Sequence, residues 1–233
     1  MPNRSAIIIR SVKIADSIPK AGLKSWHRSD LGITLNGSTV SSWADQSGKG
    51  FNLDQGTGSK QPLFESGALN GLPVITLDGV DDYLRCASFT CAIPYSKFIV
   101  VKIISWTGYD FIYNGGGLIN SVNMLFPSPT VSMASGGAYS NESLSFGLGA
   151  FALLATKMAG SSGSYLQKNN DAKTDVTGIG NGSDSAFNLG IYSNLFSYAG
   201  NISVAEIIQY DRVLSDGEDL QVKKWLNSRY NLY

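Results

Sequence analysis

The chain predicts an all-β fold: an antiparallel two-sheet jelly-roll sandwich closed by one short C-terminal helix. Three observations predict it. The apolar segments are short and lie between Gly, Asn, Ser or Pro clusters, the spacing of a sandwich rather than of a helical bundle. Glycine accounts for 26 of 233 residues, 15% of residues are charged and 43% are hydrophobic. That is a turn-rich globular profile, not a disordered one. One stretch near the C-terminus carries a sustained helical period. Sandwiches of roughly 200–250 residues commonly form one domain, and a chain of this length buries enough surface to fold without a disulfide or a metal.

The elements follow in order. Residues 1–18 read as an N-terminal arm or edge strand, ahead of one domain over 19–233. From Ala6 to Ile14 five of nine residues are β-branched, too apolar to stay solvated. Unpaired, such a strand is an aggregation hazard, so the arm is expected either to pair with its own sheet or to dock on a neighbouring subunit. Strands are expected at 74–77, 97–104, 110–113, 143–148, 151–156, 164–167, 187–191 and 201–210. The run from Lys97 to Ile104 is nearly continuous, which implies a central strand covered on both faces. Segments 151–156 and 164–167 flank a Gly/Ser loop and read as a hairpin. Ser215 and Glu218 have the spacing of a capping box, so the helix should start near Asp216. Val222, Trp225 and Leu226 give that helix its apolar stripe. Trp26, Trp43, Leu77, Phe98, Val100, Leu153, Ile207 and Trp225 are the expected core.

Several short motifs recur in a fixed order. Leu23 and Trp26 precede Asp30. Val40, Trp43, Asp45, Ser47, Gly48 and Asn52 follow, then Gln61-Pro62, Asn70-Gly71-Leu72-Pro73-Val74 and Leu77-Asp78-Gly79-Val80-Asp81-Asp82-Tyr83-Leu84. The stretch Gly200 to Ser215, with Ile202, Val204 and Ile207 around Glu206, completes the set. Together these resemble the concanavalin A-like, laminin-G-like jelly-roll family common in phage virion proteins and bacterial surface proteins. The resemblance spans residues 18–232 and implies the fold more firmly than the function, because one fold hosts many activities.

Charge narrows the function classes. Lys plus Arg and Asp plus Glu each number 18, and the basic residues are scattered, so a nucleic-acid footprint is not expected. No apolar run reaches the length of a membrane span. The apolar run from Ala6 stops at Arg10, too short for the core of a signal peptide, which sets the expectation of a protein made in the cytoplasm. Cys86 and Cys91 read as small buried thiols, with a disulfide open if a turn lies between them. A zinc site is not expected from two cysteines and a single histidine.

No catalytic function is expected. His27 is the only histidine, and beside Trp26 it reads as structural. Some jelly rolls of the resembled superfamily cleave glycans with a Glu-x-Asp-x-x-Glu strand. Here Glu206 and Asp211 have an odd separation, which sends them to opposite faces of a regular strand. No cofactor is expected. Asp78, Asp81 and Asp82 are weak calcium candidates, since some laminin-G-like domains bind that ion and oxygen-rich loops suit it; an ordinary Asp-Gly turn is the competing account. Asp45 is expected to pin a turn against Trp43.

Carbohydrate binding is what the resemblance implies most often. Sugars stack flat apolar faces on aromatic rings and offer hydroxyls to amides and carboxylates. The candidates are Trp106, Tyr109, Tyr113, Tyr139, Tyr192 and Tyr198, with Asn114 and Asn141, and with Asn120, Asn123 and Asn194 as further polar companions. The expected function is a non-catalytic virion protein of a tailed phage, a capsid decoration or tail-fibre component. It displays a lectin-like domain, and its arm contacts other virion subunits or a second copy. A free lectin, extracellular or on a cell surface, and a glycan hydrolase with an unrecognised site are the alternatives.

Overall fold

The computed structural model describes residues 17–116, 121–125, 130–192 and 198–233. The arm expected over 1–18 therefore lies, but for Ser17 and Ile18, outside the described residues. Among the described residues the architecture is a sandwich of antiparallel strands with one α-helix, Asp216–Tyr230.

One layer is built around Tyr95–Ser105. Phe151–Met158 pairs along one side, followed by Ser164–Lys168 and Thr174–Val176. Asn201–Tyr210 pairs along the other. The far edge of Asn201–Tyr210 is shared. Leu72–Asp78 pairs with its first half, Asn201 opposite Asp78, and Leu23–Arg28 with its second half, Leu23 opposite Tyr210. The second layer runs Ile33–Asn36, Thr39–Trp43, Leu53–Asp54, Leu84–Cys86, Phe187–Leu189, Phe111–Asn114, Ser121–Leu125 and Thr130–Ser135. Leu63–Leu69 pairs with Leu72–Asp78 and meets Thr39 through Leu63, which joins the layers at a corner.

Period-2 alternation explains why the first layer is covered twice. From Tyr95–Ser105, Ile99, Val101 and Ile103 point between the layers, where they meet Ile112, Val131, Met133 and Leu189. Phe98 and Val100 point the other way and pack with Leu153, Ile208, Val222, Leu226 and Tyr230 under the helix. Asn201–Tyr210 follows the same rule with one interruption. A register shift between Val204 and Glu206 turns Ala205 and Glu206 toward the helix and returns Ile207 to the inter-layer core. Such a bulge changes which face each later residue meets.

Trp43 is fully buried and donates its indole N–H to the Arg28 carbonyl at 2.8 Å. Asp45 pins the neighbouring turn: its carboxylate accepts from the backbone N–H groups of Trp26 (2.9 Å), Ser47 (2.9 Å) and Phe51 (3.1 Å). Trp26 and Trp225, expected in the core, are instead half-buried. Both indoles donate to Glu206 Oε1, at 2.7 and 3.0 Å, and their rings meet edge to face. Glu206 is fully buried, and Oε2 also accepts from Arg229 (3.2 Å) and Tyr230 (2.8 Å). A buried carboxylate with four donors has its desolvation cost offset.

The helix starts as its capping box requires. Ser215 Oγ accepts from the Glu218 N–H at 3.4 Å, and Glu218 accepts from the Ser215 N–H at 3.0 Å. Cys86 and Cys91 are buried free thiols, and burial pushes Cys91 up to about 11. Among the described residues, no helix is long and apolar enough to cross a membrane.

Candidate functional site

Three neighbouring strands of the first layer end together. The register sets Asn201 opposite both Asp78 and Ser105, so the loops beyond these residues converge at one end of the sheet. They enclose a cleft of about 580 Å³ lined by Gly79, Val80, Thr107, Gly108, Tyr109, Asp110, Tyr198 and Ala199.

Each wall is held by an aspartate. Asp110, buried, accepts from the Thr107 N–H at 2.7 Å and from its hydroxyl at 3.3 Å, which fixes the loop carrying Tyr109. Asp78 Oδ1 accepts from the N–H groups of Val80 (2.8 Å), Asp81 (3.3 Å) and Asp82 (3.3 Å), which closes the opposite turn. Gly79 is required in that turn. Its φ is +77°, and a Cβ there would stand 2.7 Å from the Asn201 Cβ. Gly200 is packed as tightly, since a Cβ would run into the Phe111 carbonyl.

Tyr109 and Tyr198 stand half in solvent, 56% and 51% exposed, with ring centroids 6.4 Å apart and nearly perpendicular. Behind them, buried Phe111 supports Tyr198 at 6.4 Å and Tyr192 at 4.9 Å, and Tyr192 meets Tyr198 edge-on at 6.1 Å. Tyr139 belongs to the same neighbourhood. Partial burial, then the proximity of Tyr192, Tyr109 and Tyr198, pushes its hydroxyl up. Tyr198 has φ of +58°, a left-handed backbone that a bulky aromatic rarely adopts. Four non-glycine residues share this sign among the described residues, and the other three are asparagines.

The structure thus gathers Tyr109, Tyr139, Tyr192 and Tyr198 and separates the remaining candidates. Trp106 is half-buried and packs on the inter-layer core. Tyr113 is fully buried: its hydroxyl lies 3.2 Å from the Thr156 hydroxyl, and the Lys97 ammonium sits over its ring at 3.6 Å. Asn114 is fully buried too, accepting from the Gly116 N–H at 2.8 Å and, through its carbonyl, from Asn188 at 3.2 Å. Neither is available to a sugar. Both fail for one reason: Phe111–Asn114 is buried on both faces, so alternation does not bring every second residue to the surface. Asn141 is exposed, and its side-chain amide is spent on the Thr177 hydroxyl at 3.3 Å. Asn120, Asn194 and the side chain of Asn123 lie outside the described residues.

Asp78, Asp81 and Asp82 cluster with carboxylate oxygens within 4.8 Å of one another. Their bonds are those of a turn, as given above, and Lys60 lies 3.9 Å from Asp81. Burial, then the charge of Asp78, pushes Asp82 up to about 6. Sequence reasoning missed Asp110 and Thr107 as wall residues. Their Thr-x-x-Asp spacing directly after the long apolar strand was the available signal, a local side-chain-to-backbone turn.

Solved structures share this fold. Among solved structures, a Trypanosoma rangeli sialidase mutant displaying trans-sialidase activity is similar with a TM-score of 0.63 at 14% identity, over 91% of this chain and 34% of that one. Domain 4 of AbnA, a GH43 extracellular arabinanase from Geobacillus stearothermophilus, in complex with arabinotriose, is similar at 0.61 and 14% identity, over 88% of this chain and 97% of that one. A GH54 α-L-arabinofuranosidase is similar at 0.57 and 12% identity, over 88% and 59%. The chain spans about a third of the length of the sialidases and nearly all of the arabinanase domain. No family model matches the chain, and no curated protein matches it in sequence. These likenesses overturn one expectation. The lone histidine and the missing acid strand imply a chain that is not an enzyme, yet the solved structures just named are glycoside hydrolases or a domain of one.

Proposed function

We propose that this chain is a glycan-engaging module that seats a saccharide in the cleft between Tyr109 and Tyr198. The single observation carrying the reading is the pair of half-exposed tyrosines facing one cleft, one of them held in a strained backbone. Exposed aromatic rings on a rigid frame offer stacking area at low entropic cost, and strain of this kind is retained where the surrounding structure enforces it. The carbohydrate-active fold neighbours support the same class of ligand, and arabinotriose, bound by the arabinanase domain, is the first probe.

Isothermal titration against arabinotriose and a panel of oligosaccharides tests it. The expected result is saturable binding to at least one of them, weakened about tenfold or more by Tyr109→Ala or Tyr198→Ala, which corresponds to roughly 1.4 kcal/mol. Reducing-end release is followed in the same samples and reports turnover. Binding to none of the panel, or binding untouched by either substitution, overturns the reading.

The finer setting we propose is display on a tailed-phage particle, with residues 1–18 as the attachment arm. Its support is the arm's β-branched composition and the order of the N-terminal motifs. Deleting residues 1–16 should leave a folded module that no longer joins its particle or a second copy; normal assembly would overturn this setting and leave the glycan reading standing.

A further inference from the structure

Resting on that reading, we infer that the cleft takes neutral saccharides and rejects those bearing carboxylates, such as uronates and sialic acids. The argument is the charge of its rim. Gly79 and Val80 form one wall, and Asp78 and Asp81 flank them in sequence, with Asp82 next. Asp110 stands in the opposite wall, with its carboxylate turned onto Thr107. Lys60 is 3.9 Å from Asp81. One carboxylate, Asp110, thus lines the cleft, and three more adjoin its Gly79–Val80 wall, Asp78 through the bond it accepts from the Val80 N–H at 2.8 Å.

Two features make this field selective. Among the described residues no guanidinium or ammonium lines the cleft to form the bidentate pair that holds a sugar carboxylate. Asp110 is buried, which limits the solvent screening of its charge. A neutral sugar meets no such penalty. It stacks on Tyr109 and Tyr198 and needs no cation from the site. The acidic turn, whose sequence first suggests a cation, thus becomes the charge filter of a sugar site.

The test uses matched pairs that differ only in charge: oligogalacturonide with its full methyl ester, sialyllactose with its methyl ester, and arabinotriose as a neutral reference. Affinities are measured at about 10 mM and about 500 mM NaCl, for the wild type and for Asp81→Lys. Asp81 is chosen because its side chain is 40% exposed and pairs with Lys60 rather than with the turn backbone. The neutral member of a binding pair should exceed the acidic one at least tenfold at low salt. The gap should shrink at high salt, where screening is short-ranged, and narrow in Asp81→Lys with neutral affinity unchanged. Equal affinity within a pair, or a gap indifferent to both salt and Asp81→Lys, overturns the inference while leaving the glycan reading intact. Binding to no member of any pair overturns both.

Discussion

Tyr198 is held in a backbone conformation that its own side chain disfavours. At φ of +58° a Cβ costs on the order of 1–2 kcal/mol relative to glycine. Its ring is half in solvent, so removing it forfeits little burial. Tyr198→Gly should therefore melt no lower than the wild type while losing glycan affinity about tenfold or more; a clear drop in melting temperature would mean that the ring serves the fold instead. His27 shows the opposite case, a polar residue enclosed by the fold. It is fully buried, its Nε2 lies 2.9 Å from the Phe51 carbonyl, and its ring stands edge-on to Trp43. Burial, opposed by the charge of Asp45, pushes it down to about 4 from 6.5. The native state then binds fewer protons at this site than the unfolded chain between those two values. Its stabilising contribution is complete above pH 6.5 and lost as pH falls toward 4, on the order of 3 kcal/mol. Denaturant unfolding at about pH 7 and about pH 4.5 should show a smaller pH loss for His27→Gln than for the wild type.

At the scale of elements, the helix was the most legible stretch of the chain. Ser215 and Glu218 announce its start and Val222 and Leu226 its buried side, because capping and periodicity are both local. Ser215→Ala should cost about 1 kcal/mol in urea unfolding, and a change near zero would show the box to be redundant with the Arg212–Glu218 pair. The Tyr95–Ser105 strand was equally legible, its nearly continuous apolar run reflecting its two cores. The bulge at Ala205 was not. An inserted residue leaves no compositional mark, and the register shift with the shared clustering of Val204 and Ile207 reveals it. The cleft was half legible. Aromatic residues in a loop-rich region pointed to Tyr109, Tyr192 and Tyr198, but their meeting depends on strand order across the sheet, which no local pattern encodes. The same blindness let Tyr113 and Asn114 pass as candidates, since a strand buried on both faces keeps its polar residues out of reach.

For the whole molecule, the two cores share one sheet and so stand or fall together. Trp43 lies in the inter-layer core, fully buried and hydrogen-bonded. Trp43→Ala should cost roughly 3–5 kcal/mol. Because the helix packs on the reverse of the same sheet, near-ultraviolet and far-ultraviolet circular dichroism should lose their signals together in this variant. Separate transitions would show the layers to be independent.

The Asn201–Tyr210 strand has one more property. Its first residue adjoins the cleft, and its last pairs with Leu23 and donates its hydroxyl to the Pro19 carbonyl at 3.0 Å, near the first of the described residues. Ten residues of strand, about 30 Å, therefore separate the point where a ligand would grip from the point where the N-terminus would be tethered. A pull between the two runs along the strand, so its flanking ladders are loaded in shear, with many hydrogen bonds sharing the force at once. Pulled instead across the sheet, the same ladders would unzip bond by bond. A tethered copy drawn by an immobilised glycan in a single-molecule trap should accordingly release its sugar before its sheet yields.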